Sequence, residues 1–588
     1  TASNEQQAEG FCKQIEERKK FLPTGTKFAA IPDRGGKRVG SGGATLEVLK
    51  YLHEKEETFE GLRVLVIHSG GDSKRVPQYS ALGKLFSPVP HELPNGRNST
   101  LFDEFMISMS SVPSRIREGM VLLSGDVLLL FNPLQIDYNN VGAAAISFKE
   151  HVETGKNHGV YLNGVDGNVK CCLQKKSVEV LREVGAVNES DCVDIDTGAL
   201  IFSTDMMNSL YSLIATEKDY DRHVNEKTRL SLYADFLYPL AEDSTLEAFY
   251  QEKPEGEFCE ELTEARKRVW DVLRPYRMKL LRLSPAKFIH FGTTREILEL
   301  MSDGVDEYQD LGWRRLVGSS IRNHNAAGYN SVLSTKASVG EDCYLEVSYV
   351  HGDSKVGSHC VLSYIDIQDR IIPDNVVMHG LKQRNGKFIV RIFGVNDNPK
   401  ENQLFGRNLD ELEKKFDIKL WEDQTGHTLW SANLYAEAET IQEAVDASLE
   451  LYAFVTEEKA FDRNLWNTVS HKSLCAGFND ADPDAIIAWN RRMADLVAMD
   501  EITKAIRNQT PVGELRKMHS LTKIQKEWLR KRLKKADFSE KMRLHYYLGV
   551  LLDDENEVQE CFRTIQSEVL ESTIKHLSYN ENAKIDTD

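Results

Sequence analysis

Short apolar runs alternate with helical stretches over roughly the first 300 residues of the chain. Four of these runs are rich in β-forming residues and lie at positions 63–68, 120–123, 143–148 and 200–202. Strands that alternate with helices predict a mostly parallel sheet covered by helices. In such a sheet, ligands bind beyond the carboxyl ends of the strands. We therefore expect an α/β domain over residues 1–310, with its site at that edge.

The pattern changes between about residue 330 and residue 395, where small and apolar residues recur about every six positions. Residues 337–345 and 356–362 share the order aliphatic, Gly, two variable positions, then a small residue, and residues 372–377 form a weaker turn. This period predicts short coils of a parallel β-helix, which we place at residues 311–404. An ordinary antiparallel β region is the alternative.

Helical patterns dominate the rest of the chain, and we assign residues 405–588 to a helical domain or linker. Residues 441–452 carry apolar positions spaced by four, and Pro483 stands in the first turn of another predicted helix. Residues 523–535 and 541–552 are also helix-like, the basic run at 530–535 indicates a solvated helix face, and the tail at 579–588 is polar. No catalytic constellation is visible in this third of the sequence.

The net charge of −18 over 588 residues argues against a general nucleic-acid or membrane-surface binder, because such proteins usually carry a basic face. An anionic substrate therefore requires a local cluster of Lys and Arg. No apolar run reaches the ~20 residues of a membrane span, and the first residues lack the apolar core of a signal peptide. Nine scattered cysteines without a Cys-x-x-Cys pair indicate reduced thiols in a cytoplasm and no structural zinc.

The predicted strand at 63–68 runs directly into a Gly70-Gly71 turn and a short polar loop. Glycine lets backbone N–H groups approach a ligand closely, and successive N–H donors suit phosphate oxygens. Arg75 and Lys84 add the positive charge that a triphosphate needs. This pattern predicts a nucleotide-binding loop, although a plain strand and turn with a solvated basic loop has the same residue types. The predicted nucleotide contacts here are Ser69, Gly70, Gly71, Asp72, Ser73 and Lys74.

A second glycine-rich segment, Gly40-Ser41-Gly42-Gly43, runs into a helical stretch. Backbone N–H groups at the start of a helix can bind a phosphate or the edge of a base, so we add these four residues to the predicted nucleotide contacts. The segment lacks the Gly-Lys-Ser/Thr ending of a P-loop, which argues against ATPase chemistry of that type.

Asp126 follows the apolar run at 120–123 and is the strongest metal candidate in the sequence. Mg²⁺ prefers one or two carboxylates together with substrate phosphates, and the end of a buried strand holds a carboxylate firmly. Gly125-Asp126 is also a plain turn signal. Asp235, an acid in an otherwise apolar setting, is either a second metal ligand or a surface residue of a helix.

Three further motifs suit a sugar phosphate. Asn157-His158-Gly159 offers amide and imidazole groups on a turn, although a lone His is often structural. Lys175 supplies an ammonium group for the phosphate. Asp196-Thr197-Gly198 supplies carboxylate and backbone groups for sugar hydroxyls.

Taken in order, these motifs resemble those of the GDP-fucose pyrophosphorylase family, the L-fucose-1-phosphate guanylyltransferases. The likeness is greatest to the guanylyltransferase half of the bifunctional fucokinase/fucose-1-phosphate guanylyltransferases. Nine stretches between about residues 30 and 435 carry the resemblance, and they lie at 36–42, 70–77, 83–84, 125–127, 157–160, 173–175, 196–198, 290–293 and 394–400.

The resemblance implies a Rossmann-like nucleotidyltransferase fold for the first domain and a Mg²⁺-dependent reaction of GTP with β-L-fucose 1-phosphate. On this basis Arg75 would bind the β- and γ-phosphates, Lys84 the α-phosphate, and Asp126 the Mg²⁺, with Asp235 as a possible second ligand. Lys175 would orient the sugar phosphate. Asn157, His158 and Asp196 would read the sugar, and guanine would meet the backbone near residues 69–71 and 40–43.

Three alternatives stay open at this point. One is a sugar-1-phosphate nucleotidyltransferase that uses UTP or another sugar, since a few hydrogen bonds decide both choices. Another is a protein that binds a sugar nucleotide without turnover. A third is an assembly module whose β-helix and helical parts drive homo-oligomerisation. A kinase phosphate loop is not visible in the sequence, so we expect either one half of a bifunctional enzyme or a monofunctional one.

Overall fold

A computed structural model of the chain describes residues 1–139, 141–323, 326–422 and 426–507, together with the isolated residues 527, 531, 563, 566, 567 and 571. Apart from those isolated residues, the helices predicted at 523–535 and 541–552, the basic run at 530–535 and the tail at 579–588 lie outside the described residues. Within the described ranges no helix has both the length and the apolar character needed to cross a membrane.

The helices are α1 (Glu5–Arg18), α2 (Gly40–Glu56), α3 (Leu101–Ser108), α4 (Val152–Gly155), α5 (Val178–Glu183), α6 (Thr204–Tyr211), α7 (Glu217–His223), α8 (Leu246–Gln251), α9 (Glu260–Leu273), α10 (Thr294–Met301), α11 (Leu409–Phe416), α12 (Ile441–Val455), α13 (Arg463–Asn467), α14 (Leu474–Asn479) and α15 (Pro483–Arg507). The predicted helices at 441–452 and from Pro483 are confirmed.

The strands are β1 (Arg63–His68), β2 (Pro88–Glu92), β3 (Asn98–Thr100), β4 (Gly119–Ser124), β5 (Val127–Phe131), β6 (Ala143–His151), β7 (Gly159–Asn163), β8 (Val169–Gln174), β9 (Cys192–Phe202), β10 (Met278–Arg282), β11 (Ala286–His290), β12 (Leu316–Val317), β13 (Ala326–Tyr329), β14 (Val332–Leu333), β15 (Ser338–Val339), β16 (Cys343–Glu346), β17 (Tyr349–His351), β18 (Lys355–Val356), β19 (Val361–Ser363), β20 (Asp366–Gln368), β21 (Ile371–Ile372), β22 (Val376–Lys382), β23 (Phe388–Gly394), β24 (Gln403–Leu404), β25 (Arg407–Asn408), β26 (Tyr435–Ala436) and β27 (His471–Lys472). Each of the four predicted strand runs lies within an observed strand, namely β1, β4, β6 and β9.

The chain forms two compact units. The first unit comprises Thr1–Val89, Ser99–Leu300 and Val377–Ala485, and the second comprises Pro90–Asn98, Met301–Val376 and the described residues from Ile486 on. The predicted division at 310/311 lies close to a boundary, but the predicted helical domain at 405–588 is not a separate unit, because residues 377–485 pack into the first. Helix α12 shows that the chain does not divide at 404/405, since the Ser448 hydroxyl donates a hydrogen bond to the Val390 carbonyl of β23 at 2.6 Å.

The main sheet of the first unit has the strand order β1-β4-β9-β6-β10, with β7 and β8 attached at β9. Strands β1 and β4 are parallel, as are β6 and β10, while β9 is antiparallel to both β4 and β6. Four of these five strands therefore share one direction. The apolar runs predicted the strands but not the reversal of β9, because a run buried on both faces carries no signal of direction.

The second unit contains short strands that pair in parallel at a spacing of seventeen residues. Val332 of β14 pairs with Tyr349 of β17, which pairs with Asp366 of β20. Two further sets, β13-β16-β19 and β15-β18-β21, repeat nearly the same spacing. Three strands in each seventeen residues account for the period of about six in the sequence, and the antiparallel alternative is wrong for these strands.

Candidate active site

Two parallel strands bring the signature loop, residues 69–84, next to Asp126. His68, the last residue of β1, is in register with Ser124, the last residue of β4. The two strands therefore end at the same edge of the sheet. The Gly125 N–H donates to the His68 carbonyl at 2.9 Å. A Cβ on Gly125 would stand 2.9 Å from that carbonyl oxygen, so only glycine allows the two loops to approach this closely.

A basic cavity of about 310 Å³ lies against the signature loop, and its lining includes Arg38, Asp72, Lys74, Arg75, Lys84 and Lys400. Asp72 lies 2.5 Å from the Arg38 guanidinium and 3.6 Å from the Lys74 ammonium, so it balances part of this charge. No hydrogen bond or ion pair joins the side chains of Arg75 or Lys400 to another described residue. The cavity therefore presents uncompensated positive charge within a chain of net charge −18.

Lys84 and Asp126 form a half-buried pair at one edge of this cavity. The Lys84 ammonium lies 3.4 Å from Asp126 Oδ2 and 3.5 Å from the Gly292 carbonyl oxygen. Burial lowers the pKa of Lys84, and the Arg75 charge lowers it further against the pull of Asp126. Burial raises the pKa of Asp126, but Lys84 and the Ser124 hydroxyl outweigh burial and hold it below its usual range. Ser124 Oγ donates to Asp126 Oδ1 at 2.6 Å, which fixes the carboxylate.

A second cavity, of about 190 Å³, contains the residues predicted to contact the sugar phosphate. Its lining includes Arg75 and Asp126 together with the predicted residues Asn157, His158, Gly159, Lys175, Asp196, Thr197 and Gly198. Arg75 lines both cavities. The structure therefore brings together all three predicted catalytic residues and the whole predicted sugar-phosphate set.

Asp196 is a buried polar group of this second cavity that two hydrogen bonds hold in place. Its Oδ1 accepts the Gly198 N–H at 3.0 Å, and its Oδ2 accepts Gln174 Nε2 at 3.3 Å. Burial raises the pKa of Asp196 although both hydrogen bonds favour the charged form. A Cβ on Gly159 would lie 2.8 Å from Asp196 Cβ, so a larger residue there would displace the carboxylate. Thr197 contributes less, because its hydroxyl donates to the Ile146 carbonyl at 2.6 Å.

Sequence reasoning missed several residues of the two cavities. His290 lies beside His158, with ring centroids 5.2 Å apart, and its Nδ1 is 3.5 Å from a Glu296 carboxylate oxygen. Tyr233 also lines the second cavity, and Lys400 lines the first. His290 and Lys400 belong to the motifs at 290–293 and 394–400, so a signal existed, but nothing in the sequence placed those motifs beside the signature loop.

The glycine-rich segment Gly40-Ser41-Gly42-Gly43 does not serve the predicted role. The N–H groups of Gly42 and Gly43 donate to the Leu230 carbonyl at 2.8 and 3.3 Å. The Ser41 hydroxyl donates to a Glu255 carboxylate oxygen at 2.9 Å and accepts the N–H of Leu232. Gly40 has a positive φ, and a Cβ there would stand 2.2 Å from the Leu230 carbonyl oxygen. The segment docks the start of α2 onto residues 230–232, so the donors predicted for a nucleotide are already used.

The prediction of Asp235 as a metal ligand is also wrong. The residue is fully buried, its Oδ1 lies 2.8 Å from Arg266 Nε, and its Oδ2 accepts the Ser231 N–H at 2.6 Å. Both carboxylate oxygens are therefore occupied within the protein core. One turn of π-helix at Leu232–Leu237 places Tyr233 on the cavity and Asp235 in the core.

The predicted contacts of the signature loop divide into two groups. Asp72, Ser73 and Lys74 line the basic cavity, whereas Ser69, Gly70 and Gly71 stand outside its lining. Ser73 has a positive φ of 52°, which turns the loop between Asp72 and Lys74. The start of α10 holds the loop in place, because the Thr294 N–H donates to the Arg75 carbonyl at 3.2 Å.

The donor set fits a Mg²⁺ ion that arrives with phosphates. Among the residues that the structure describes, no group of three His, Cys, Asp or Glu side chains could hold a metal ion. Asp126 nevertheless offers one fixed carboxylate between the two cavities. Mg²⁺ commonly takes one carboxylate and completes its shell with substrate phosphates and water.

Comparisons with known proteins identify the family to which the chain is similar. A family model described as the fucose pyrophosphorylase domain matches residues 56–440, which include the lining residues Arg75, Asp126, Lys175 and Lys400. The chain is 25% identical to the fucose-1-phosphate guanylyltransferase of Mus musculus, over 81% of this chain and 89% of that protein. It is also 25% identical to the fucose-1-phosphate guanylyltransferase of Homo sapiens, over 81% of this chain and 86% of that protein. A bifunctional fucokinase/GDP-fucose pyrophosphorylase of Arabidopsis thaliana is 25% identical over 74% of this chain and 46% of that protein.

Proposed function

Because the chain belongs to the fucose pyrophosphorylase family, we propose that it transfers GMP from GTP to β-L-fucose 1-phosphate, giving GDP-L-fucose and pyrophosphate. One structural observation supports this proposal above the others. Arg75 lines both a basic cavity and a cavity of sugar-binding character, with the Lys84–Asp126 pair beside it. A nucleotide and a sugar phosphate bound in these cavities would meet at that point.

The reaction needs positioning and charge neutralisation rather than a protein nucleophile. A phosphate oxygen of the sugar phosphate forms a bond to the α-phosphorus of GTP. The bond from that phosphorus to the oxygen bridging to the β-phosphorus breaks, and its electron pair leaves with pyrophosphate. The attacking oxygen is already anionic at neutral pH, so the step needs no general base. Fixed cations at such a centre stabilise the transition state because they require no reorganisation.

We assign Lys84 to the α-phosphate and Arg75 to the phosphates beyond it. Lys84 is the half-buried cation nearest to Asp126, so it stands where the α-phosphorus would be attacked. The Arg75 guanidinium can bridge two phosphate oxygens with parallel N–H donors. Its side chain has no partner among the described residues and is therefore available to the substrate.

Asp126 would hold one Mg²⁺ ion together with the nucleotide phosphates. When bound, such an ion neutralises phosphate charge and aligns the phosphate oxygens. Ser124 keeps the carboxylate oriented, and Lys84 keeps it ionised by lowering the pKa of Asp126 against the effect of burial.

The residues of the second cavity would bind the sugar phosphate. Lys175 has a positive φ of 47°, and its N–H donates to the His158 carbonyl at 3.0 Å, which fixes the two residues beside each other. Lys175 then faces the attacking phosphate, while His158, Asn157 and Asp196 offer hydrogen bonds to sugar hydroxyls.

The proposal extends to the fold and the location. We infer a Rossmann-like nucleotidyltransferase domain in the first unit and a short parallel β-helix in the second, supported by the strand order and the seventeen-residue spacing. The free thiols among the described cysteines support a cytoplasmic location. Homo-oligomerisation and a partnership with a fucokinase domain stay predictions, the latter supported by the bifunctional relatives.

The test is pyrophosphate release with GTP and β-L-fucose 1-phosphate in the presence of Mg²⁺. Each of four nucleoside triphosphates is combined with several sugar 1-phosphates. We expect the highest kcat/KM for GTP with fucose 1-phosphate. Faster turnover of UTP or of another sugar phosphate would identify a different nucleotidyltransferase. Binding of sugar nucleotide without turnover of any pair would contradict an enzymatic function.

A further inference from the structure

Lys400 is a cation of the basic cavity that the sequence assigned to no role. It lines the cavity together with Arg38, Lys74, Arg75 and Lys84, and no described residue forms an ion pair with it. Burial lowers the pKa of Lys400, and the charges of Arg75 and Arg38 lower it further. Such mutual repulsion is relieved when a polyanion binds between the cations.

The backbone on both sides of Lys400 is held firmly. The Pro399 carbonyl accepts the Trp430 N–H at 2.9 Å, and the Glu401 carbonyl accepts the Leu429 N–H at 2.8 Å. The Lys400 N–H itself donates to Asn398 Oδ1 at 3.1 Å. Only the side chain of Lys400 therefore keeps its freedom, and that side chain faces the cavity.

A half-buried carboxylate shapes the loop that carries Lys400. Asp397 Oδ2 accepts the N–H groups of Gly394 at 2.6 Å and of Phe405 at 3.1 Å. The same region contacts the signature loop, since the Lys74 ammonium lies 5.6 Å from the ring centroid of Trp430. The loop at 394–405 is thus an ordered part of the first unit that presents one lysine to the cavity.

The two cavities differ in a way that fixes which phosphates Lys400 can reach. Arg75 and the Lys84–Asp126 pair mark the junction where the α-phosphorus would stand. Lys400 lines only the basic cavity, while Lys175 lines only the cavity of the sugar phosphate. A triphosphate whose α-phosphorus lies at the junction would extend its other two phosphates into the basic cavity, because the cations Arg75 and Lys400, unpaired among the described residues, line that cavity.

We propose that Lys400 binds the β- and γ-phosphates of the nucleotide and holds the pyrophosphate that leaves. The inference rests on the proposed nucleotidyl transfer. It adds to the phosphate-binding residues one lysine from the segment after residue 376. Lys400 is expected to contact the leaving group directly, where the electron pair of the broken bond accumulates.

Direct binding measurements on Lys400→Met distinguish a specific contact with the departing phosphates from a general effect on ligand binding. Calorimetry with Mg-pyrophosphate as the probe should show affinity about 10- to 100-fold weaker than in the unmodified protein, because a charged hydrogen bond contributes about 1.5–3 kcal/mol. Affinity for GDP-L-fucose should stay within about twofold, because this product lacks the β- and γ-phosphates of GTP that Lys400 is proposed to contact. Lys400→Arg should restore most of the pyrophosphate affinity.

The matched control is Lys419→Met, because Lys419 is an exposed lysine outside both cavities. It should leave both affinities unchanged. Unchanged pyrophosphate binding in Lys400→Met would overturn the inference, as would an equal loss of GDP-L-fucose binding. Loss of pyrophosphate affinity in a protein that does not turn over GTP with fucose 1-phosphate would keep Lys400 as a phosphate-binding residue of the basic cavity and contradict the proposed function instead.

Discussion

At the scale of single residues, Arg75 is the cation that the two cavities share, and its side chain is exposed to both of them. A guanidinium after a Gly-Gly turn predicted a phosphate contact, and the structure places that side chain in both cavities. Ser69 was predicted on the same grounds, yet it lies outside the basic cavity. Residue type and order indicate the chemistry, but the turn at Ser73, where φ is 52°, belongs to the backbone of the loop whose residues 72–75 line the basic cavity. That turn has no signal in the residue types.

We expect Arg75→Ala to lower kcat/KM for GTP about 10²- to 10³-fold, because one transition-state contact contributes about that much. The side chain is exposed and has no described partner, so the free energy of unfolding should not change. Steady-state pyrophosphate release and urea unfolding measure the two effects. Arg117→Ala removes another exposed guanidinium and should leave both unchanged. Native turnover by Arg75→Ala would show that the guanidinium does not touch the nucleotide.

At the scale of elements, the strand and helix predictions succeeded where a local pattern determines the structure. Strands β1, β4, β6 and β9 and the start of α15 follow directly from apolar runs and from Pro483. The structural role of the segment Gly40-Ser41-Gly42-Gly43 could not be predicted from a local pattern. The Leu230 carbonyl that accepts its N–H groups is about 190 residues away in the sequence. The prediction of Asp235 as a metal ligand was wrong for the same reason, since its ion-pair partner Arg266 belongs to another helix. Local patterns record neither contact.

Two aspartates that were both considered as metal ligands, Asp126 and Asp235, should respond differently to the same substitution. Asp126→Asn should abolish Mg²⁺-dependent turnover and cost less stability than Asp235→Asn, because the pair of Asp126 with Lys84 is only half-buried and faces a cavity. Asp235→Asn should lower the free energy of unfolding by about 3–5 kcal/mol, since it leaves the buried Arg266 charge without its carboxylate. Activity titrations with Mg²⁺ and urea unfolding of both variants test the contrast. Equal destabilisation by both substitutions would contradict these two locations.

His471 makes the stability of a small element depend on pH. Its ring stacks on Trp466 of α13 at a centroid distance of 3.8 Å, and burial lowers its pKa from 6.5 to about 4. Between these values the unfolded segment binds a proton that the folded one does not, so stability is lost as the pH falls below 6.5.

Acidification from pH 7 to pH 5 should therefore weaken this region by at most about 2 kcal/mol. Hydrogen exchange of residues 463–472 at the two pH values measures the loss. His471→Phe keeps a stacked ring without a titrating group, so its protection should vary less with pH than that of the unmodified protein. Identical pH dependence in both proteins would exclude His471 as the cause.

At the scale of the whole molecule, the chain leaves the first unit after Leu300 and returns to it at Val377. The returning segment supplies β23, α12 and the loop that carries Lys400. Compositional changes suggested a boundary at 404/405, but a change of periodicity marks a new kind of element and not the unit into which it packs. The motif at 394–400 was visible in the sequence, and only its position beside the signature loop required the structure.

Arg391 links the returning segment to the signature loop. Its guanidinium is fully buried and donates to the Pro77 carbonyl at 2.6 Å, the Ser80 hydroxyl at 3.1 Å and the Leu474 carbonyl at 3.2 Å. It also contacts His379 Nδ1 at 2.7 Å. Burial lowers the pKa of Arg391 to about 9, so it stays charged at neutral pH. The residues between Arg75 and Lys84 are thus anchored by a residue more than 300 positions later.

Arg391→Met should lower the free energy of unfolding by about 3 kcal/mol, because several buried hydrogen bonds are lost together. Turnover per folded molecule should fall as well, since the Pro77–Ser80 backbone that spaces Arg75 from Lys84 loses its anchor. Arg391→Lys keeps the charge but cannot donate to all of these acceptors, so it should restore only part of the stability. Urea unfolding and pyrophosphate release, measured on the same preparations, give both quantities. A variant as stable and as active as the unmodified protein would show that the returning segment does not support the catalytic loop.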